Sequence, residues 1–186
     1  MAPMLGIMAS QISGHLFAPS GAYDSIATVD LSGGAAAYAE FTSIPATYKH
    51  LQIRYLAGSS GGPDSTVLRF NSDTASNYSR HALWANGSSV ATLASAPDTW
   101  IFIDKLGPLI TNVFGVAIID ILDYADTSKY KTVRALSGED ENGAGFVGLY
   151  SGNWRSTAAV STIKVFPAGT NFRQYSHIAL YGIKGA

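Results

Sequence analysis

A chain of 186 residues with 13% charged side chains and a formal net charge of −1 has no run of Lys or Arg, which excludes the electrostatic footprint of a nucleic-acid binder. The absence of cysteine excludes disulfides, thiolate zinc sites and cysteine catalysis. The length predicts one domain able to bury about 70% of its unfolded surface, and so few charges fit either a surface covered by neighbours or a polar, uncharged one rich in Ser, Thr, Asn and Gly.

Residues 1–22, MAPMLGIMASQISGHLFAPSGA, form a distinct segment without Asp, Glu, Lys or Arg. It has no basic leader region and is broken by Pro3, Gly6 and Gly14, so neither a signal peptide nor a spanning helix is expected, and synthesis in the cytoplasm is. An uncharged apolar segment avoids water by packing on a surface. Met4, Leu5, Ile7, Met8, Ile12, Leu16 and Phe17 are therefore the candidate docking residues of an extended N-terminal arm.

From Tyr23 to Ala186 the chain reads as one β domain. Strands are predicted at 25–31, 37–43, 50–56, 66–71, 79–84, 99–105, 113–122, 130–136, 145–151, 159–166 and 174–183. Turn signals separate them at Ser32-Gly33-Gly34, Gly61-Gly62-Pro63-Asp64, Asn86-Gly87 and Asn142-Gly143. Asn86-Gly87 suits a type I′ hairpin turn, and 120–133 reads as a hairpin closed by the loop 123–128. One pattern occurs twice. Tyr48-Lys49-His50-Leu51-Gln52-Ile53-Arg54-Tyr55 returns as Tyr175-Ser176-His177-Ile178-Ala179-Leu180-Tyr181-Gly182, each alternating with a period of two. Leu51, Ile53 and Tyr55 share one face of the first copy; Ile178, Leu180 and Gly182 share one face of the second. Such a pair predicts a closed sandwich whose last strand returns beside an early one. About ten short strands with no amphipathic helix predict an antiparallel, jelly-roll-like β-sandwich. No heptad, collagen triplet or tandem repeat encodes a fibre shaft.

No catalytic signature is present: no HExxH, GxSxG, P-loop or dinucleotide fingerprint occurs. His50 and His177 occupy matching strand positions and would form half a metal site if their strands paired in register; the alternative is two solvated or interfacial histidines. Asp123 and Asp126 fit turn residues accepting backbone hydrogen bonds better than a calcium loop, which lacks its central Gly and closing Glu. Glu40, Asp104, Asp120, Glu139 and Glu141 are hydrolase candidates by residue type alone, since their spacing selects no pair. The stretch Gly138-Glu139-Asp140-Glu141-Asn142-Gly143 reads as a solvated acidic loop. Trp84, Trp100, Trp154 and Tyr150 are candidate glycan contacts, with core or interface packing as the alternative.

The strings Ile12–Leu16, Tyr23–Val29, Phe41–Arg54 and His177–Ile183 together resemble β-rich structural and tail-associated proteins of tailed bacteriophages, leaving roughly 60–110 uncovered. That resemblance implies a jelly-roll-like module built into a virion, commonly as a homotrimer, with no catalytic residues to carry over. The leading expectation is a non-enzymatic structural protein on the particle surface, either a capsid decoration (cement) protein or a tail-fibre or baseplate component. It would assemble in the host cytoplasm without cofactor or membrane insertion, and its partners would be itself and other virion proteins. A receptor-recognition module for a host surface glycan is the second expectation, and a polysaccharide hydrolase the third.

Overall fold

The computed structural model describes residues 21–107 and 110–185. The candidate docking residues between Met4 and Phe17 lie outside the described residues. The described chain is all β, with no helix. Its strands are β1 (Tyr23–Asp30), β2 (Ala39–Phe41), β3 (His50–Ala57), β4 (Asp64–Phe70), β5 (Tyr78–Ala85) and β6 (Val90–Asp98). They continue with β7 (Ile101–Leu106), β8 (Gly115–Leu122), β9 (Lys131–Asp140), β10 (Gly145–Trp154), β11 (Ile163–Pro167) and β12 (His177–Ile183).

Two antiparallel sheets pack face to face: an 8-stranded sheet in the order β1-β12-β3-β8-β9-β10-β5-β6, and a 4-stranded sheet in the order β2-β11-β4-β7. Setting aside the hairpins β5–β6 and β9–β10, the remaining strands alternate between the sheets except at β4 and β7, neighbours in the small sheet, which is the double Greek-key order of a jelly roll. The two hairpins add strands to one side of the large sheet, and β9 and β10 pack on β7 of the small one. As the repeated pattern predicts, β12 lies beside β3.

The core is the space between the sheets. Leu51, Ile53 and Tyr55 of β3, Ile119 and Ile121 of β8, and Ile178 and Leu180 of β12 face Leu68 and Phe70 of β4 and Ile101 and Ile103 of β7. Under the added hairpins, Trp154 stacks on Tyr78 at 6.3 Å, meets Phe70 at 5.5 Å, and donates its indole N–H to Asp73 Oδ2 at 2.7 Å. Gly152 is the close approach in this layer, because a Cβ there would strike the Ile101 side chain. Gly152→Val is expected to overpack the core and cost about 1–3 kcal/mol, read as a fall in the urea midpoint at unchanged slope.

Three expectations need correction. First, β6 was not among the predicted strands; Val90–Asp98 is small-residued, contains Pro97, and becomes a strand by pairing along β5 at the sheet edge. Second, the type I′ turn lies at Asn142-Gly143, where both residues have positive φ (61° and 102°). At Asn86-Gly87 only Gly87 does (86°), as in a type II′ turn, and Asn86 Oδ1 caps the turn by accepting from the Ser88 and Ser89 N–H groups. Third, Gly138–Asp140 is strand rather than solvated loop, and Glu139 is buried beneath 107, whose N–H donates to it at 2.9 Å.

Candidate functional site

Along β8 and β9, and along β10 from Val147 onward, burial alternates, so every second side chain leaves the core. In most half-buried sheets those positions are polar. Here two adjacent rows of them are largely aliphatic and in register across the sheet. One row runs Leu56, Val116, Gly138, Val147, Ala85, Val90; the next runs Arg54, Ile118, Leu136, Leu149, Leu83, Thr92. The large aliphatic side chains of these rows are between 42% (Leu56) and 69% (Val90) exposed. Arg54, at the margin, is their one charged residue. Shallow grooves run between Val116, Leu136 and Val147, and between Leu83, Leu149 and Val90.

A third row borders this face: Gln52, Asp120, Arg134, Ser151, His81, Ala94. It is internally neutralised. Arg134 contacts Asp120 Oδ2 at 2.9 Å, Gln52 donates to Asp120 Oδ1 at 2.8 Å, and Arg54 donates to Gln52 Oε1 at 2.7 Å. The Arg54 guanidinium also lies over the rings of Tyr23 and Tyr181, at 5.2 and 5.6 Å. Hydrogen bonds and rings thus fix the polar border, while the aliphatic rows present an apolar plane. That arrangement suits burial against another surface, driven by removal of apolar area from water.

The residues weighed for other chemistry are dispersed. His50 is opposite Ile183 and His177 opposite Leu56, because β3 and β12 run antiparallel, so the two imidazoles sit at opposite ends of the pair. His50 Nδ1 instead accepts the Asp123 N–H at 3.0 Å. At the β8–β9 loop, lysine ammonium groups stand where a cation would: Lys49 is 2.7 Å and Lys129 2.8 Å from Asp123, and Lys129 is 3.2 Å from Asp126. Hydrogen bonds from Lys129 and Lys49 hold the Asp123 carboxyl at about 2. Asp126 Oδ1 accepts the Ser128 N–H at 2.7 Å, the turn role its sequence predicts. Among the described residues, no group of three or more His, Asp or Glu is placed to hold a metal ion.

Four of the five candidate carboxylates are separately engaged, and Glu141 is half-buried at the start of the β9–β10 turn. Glu40 pairs with Lys164 at 3.4 Å and Asp120 with Arg134. Asp104 is wholly buried between the sheets, where it accepts the Tyr55 hydroxyl. Burial raises it to about 8, against the pull of the Ser137 and Tyr55 hydroxyls, and the Glu139 carboxylate adds to the rise. Burial also raises Glu139. Asp104 is therefore a core acid, and Glu139 a buried acid lining a shallow surface cavity that Asp104 does not reach, so the two do not flank one cleft.

The four rings weighed for glycan contact do not share a face. Trp154 and Tyr150 are core residues, each 2% exposed, and offer no ring face to a sugar. Trp84 lies under Lys105 at 4.6 Å, and Trp100 under Arg69 at 5.3 Å.

No motif marks the apolar outer face in the sequence, although β8 carries a signal for it. Its sequence GVAIIDIL is apolar at nearly every position, where a strand with one wet face would alternate. No protein-family model, curated protein or solved structure matches this chain.

Proposed function

We propose that this chain is a non-enzymatic structural protein of a tailed-bacteriophage particle, a capsid decoration protein or a tail-fibre or baseplate component, and that it works by association. The observation that carries association is the in-register aliphatic face on the outside of the large sheet. The engagement of Glu40 and Asp120 in ion pairs and the burial of Asp104 and Glu139 support binding over turnover. The likeness of 12–16, 23–29, 41–54 and 177–183 to phage structural proteins supports the virion as the setting. The uncharged segment Met4–Phe17 supports a second contact, with another virion protein, stabilised by roughly 25 cal/mol per Å² of apolar surface buried.

Deleting residues 1–17 tests the arm. The sandwich is expected to fold, with an unchanged far-UV circular dichroism spectrum, and to lose particle binding in a co-sedimentation assay. Normal incorporation of the truncated chain would refute docking through the arm.

A further inference from the structure

The outer face of the large sheet comes close to being complementary to itself. The outward positions of β9 run Arg134, Leu136, Gly138, Asp140, which is a cation, a large apolar residue, a gap and an anion. Turned end for end, the same series sets Leu136 against Gly138 and Arg134 against Asp140. The flanking strands behave alike: Ile118 meets Val116, Leu149 meets Val147, and Leu83 meets Ala85.

We propose that this face is the contact between two copies of the chain, packed sheet on sheet about a twofold axis lying between the sheets and running across the strands. The proposal rests on the reading of the protein as one that works by association, and names the partner. The axis passes between the row containing Leu136 and the row containing Gly138, so β9 of one copy lies antiparallel over β9 of the other. Large side chains then fill the places left by Gly138 and Ala85, as facing sheets about 10 Å apart require. A contact of this kind is isologous and closes at two copies.

Area and charge both fit. Eight large aliphatic residues, 42–69% exposed, form one contiguous patch, on the order of 600 Å² and so at the top of the ~300–600 Å² range of a monomer's largest apolar patch, and with the polar border it approaches the ~800 Å² per partner of a standard interface. The Arg134 side chain is 71% exposed and Asp140 is exposed, so both can reach across at the rim. Arg134 stands between its own Asp120 and the Asp140 of the other copy, so the cation of one copy faces the anion of the other. This is the layout of a stable contact, with an apolar centre and a charged margin that sets register.

The test is the mass of the full-length chain by light scattering, across a dilution series. A dimer is expected for the natural chain, and a monomer for Leu136→Glu with an unchanged circular dichroism spectrum. Arg134→Glu and Asp140→Arg are each expected to raise the dimer Kd at least tenfold, and the double variant to recover most of the loss. Positions 134 and 140 are about 20 Å apart along one strand, so recovery cannot arise within a single chain. A full-length monomer, a trimer, or a charge swap without recovery would each overturn the pairing. Particle binding is read separately, so a monomer that still incorporates overturns the pairing and leaves the structural role standing.

Discussion

Stability is expected to fall as the pH rises from about 4 to about 8, with Asp104 as the main source. Asp104 lies on β7 between the sheets, facing Tyr55 of β3, Ser137 and Glu139 of β9, and Tyr150 of β10. Among the described residues no Lys or Arg pairs with it, so burial dominates and raises its carboxyl from 3.8 to about 8. Between those values the folded chain holds a proton that the unfolded chain has released. Unfolding therefore releases a proton, and each rise in pH across this window favours the unfolded state. Below the window both states are protonated, and above it both are ionised, so the dependence flattens at each end. A shift of this size corresponds to roughly 6 kcal/mol at most, and relaxation around the ionised acid brings the expected loss to about 2–4 kcal/mol. Glu139, also raised by burial, acts with the same sign. Asp64 and Asp73 are lowered by their hydrogen bonds and act below the window, where their stabilisation is lost as the pH falls. Urea midpoints at pH 4.5, 6 and 8 check this. The natural chain should weaken steadily, and Asp104→Asn, which still accepts the Tyr55 hydroxyl, should remove most of the slope. An equal slope in both chains would show that Asp104 is not the source.

Lys131→Met is expected to lower stability by about 2–4 kcal/mol. Lys131 is the first residue of β9 and is fully buried. Its ammonium has three donors, and each finds a backbone carbonyl: Asp126 at 2.5 Å, Lys129 at 2.9 Å and Thr157 at 3.2 Å. It thereby ties the 123–130 loop to the segment following β10. Methionine preserves the length of the stem but leaves three carbonyls without their donor, at a cost of about 1–3 kcal/mol for each group left unpaired. Burial lowers the lysine against a counter-push from Asp126, so removing the charge returns part of that cost. For a chain of this length the loss corresponds to a fall in Tm of roughly 10 °C. Lys131→Arg should not restore it, because a planar fork cannot place three donors on carbonyls arranged around a point charge. A change in Tm under about 2 °C for Lys131→Met would show the carbonyls to be satisfied by water.

Much of this architecture follows from short-range rules. Alternation at 50–55 and 177–183 placed Leu51, Ile53, Ile178 and Leu180 on inward faces, because a strand turns successive side chains to opposite sides whatever lies around it. Gly and Asn marked the hairpin turns, because positive φ is costly for other residues. Long-range features were not legible in this way. Glu139 read as a loop residue, and the tertiary fold buried it by extending β9 beneath 107. His50 and His177 matched in pattern, but their separation depended on strand direction, which no local string encodes. Trp154 and Tyr150 looked available as sugar platforms until the added hairpins enclosed them.

The outer face is the clearest division between the two sources. Periodicity alone groups Val116 with Ile118, Leu136 with Gly138, and Val147 with Leu149, since a period of two is a local property of the backbone. Which group meets the second sheet and which remains open was decided by the packing of β9 and β10 on β7, and that choice is made by the whole chain closing its core. By itself, the sequence determined an all-β, low-charge chain with an uncharged N-terminal segment. Only the tertiary structure aligned aliphatic residues from separate strands into one exposed plane, because register between strands is set by long-range pairing and not by any single segment.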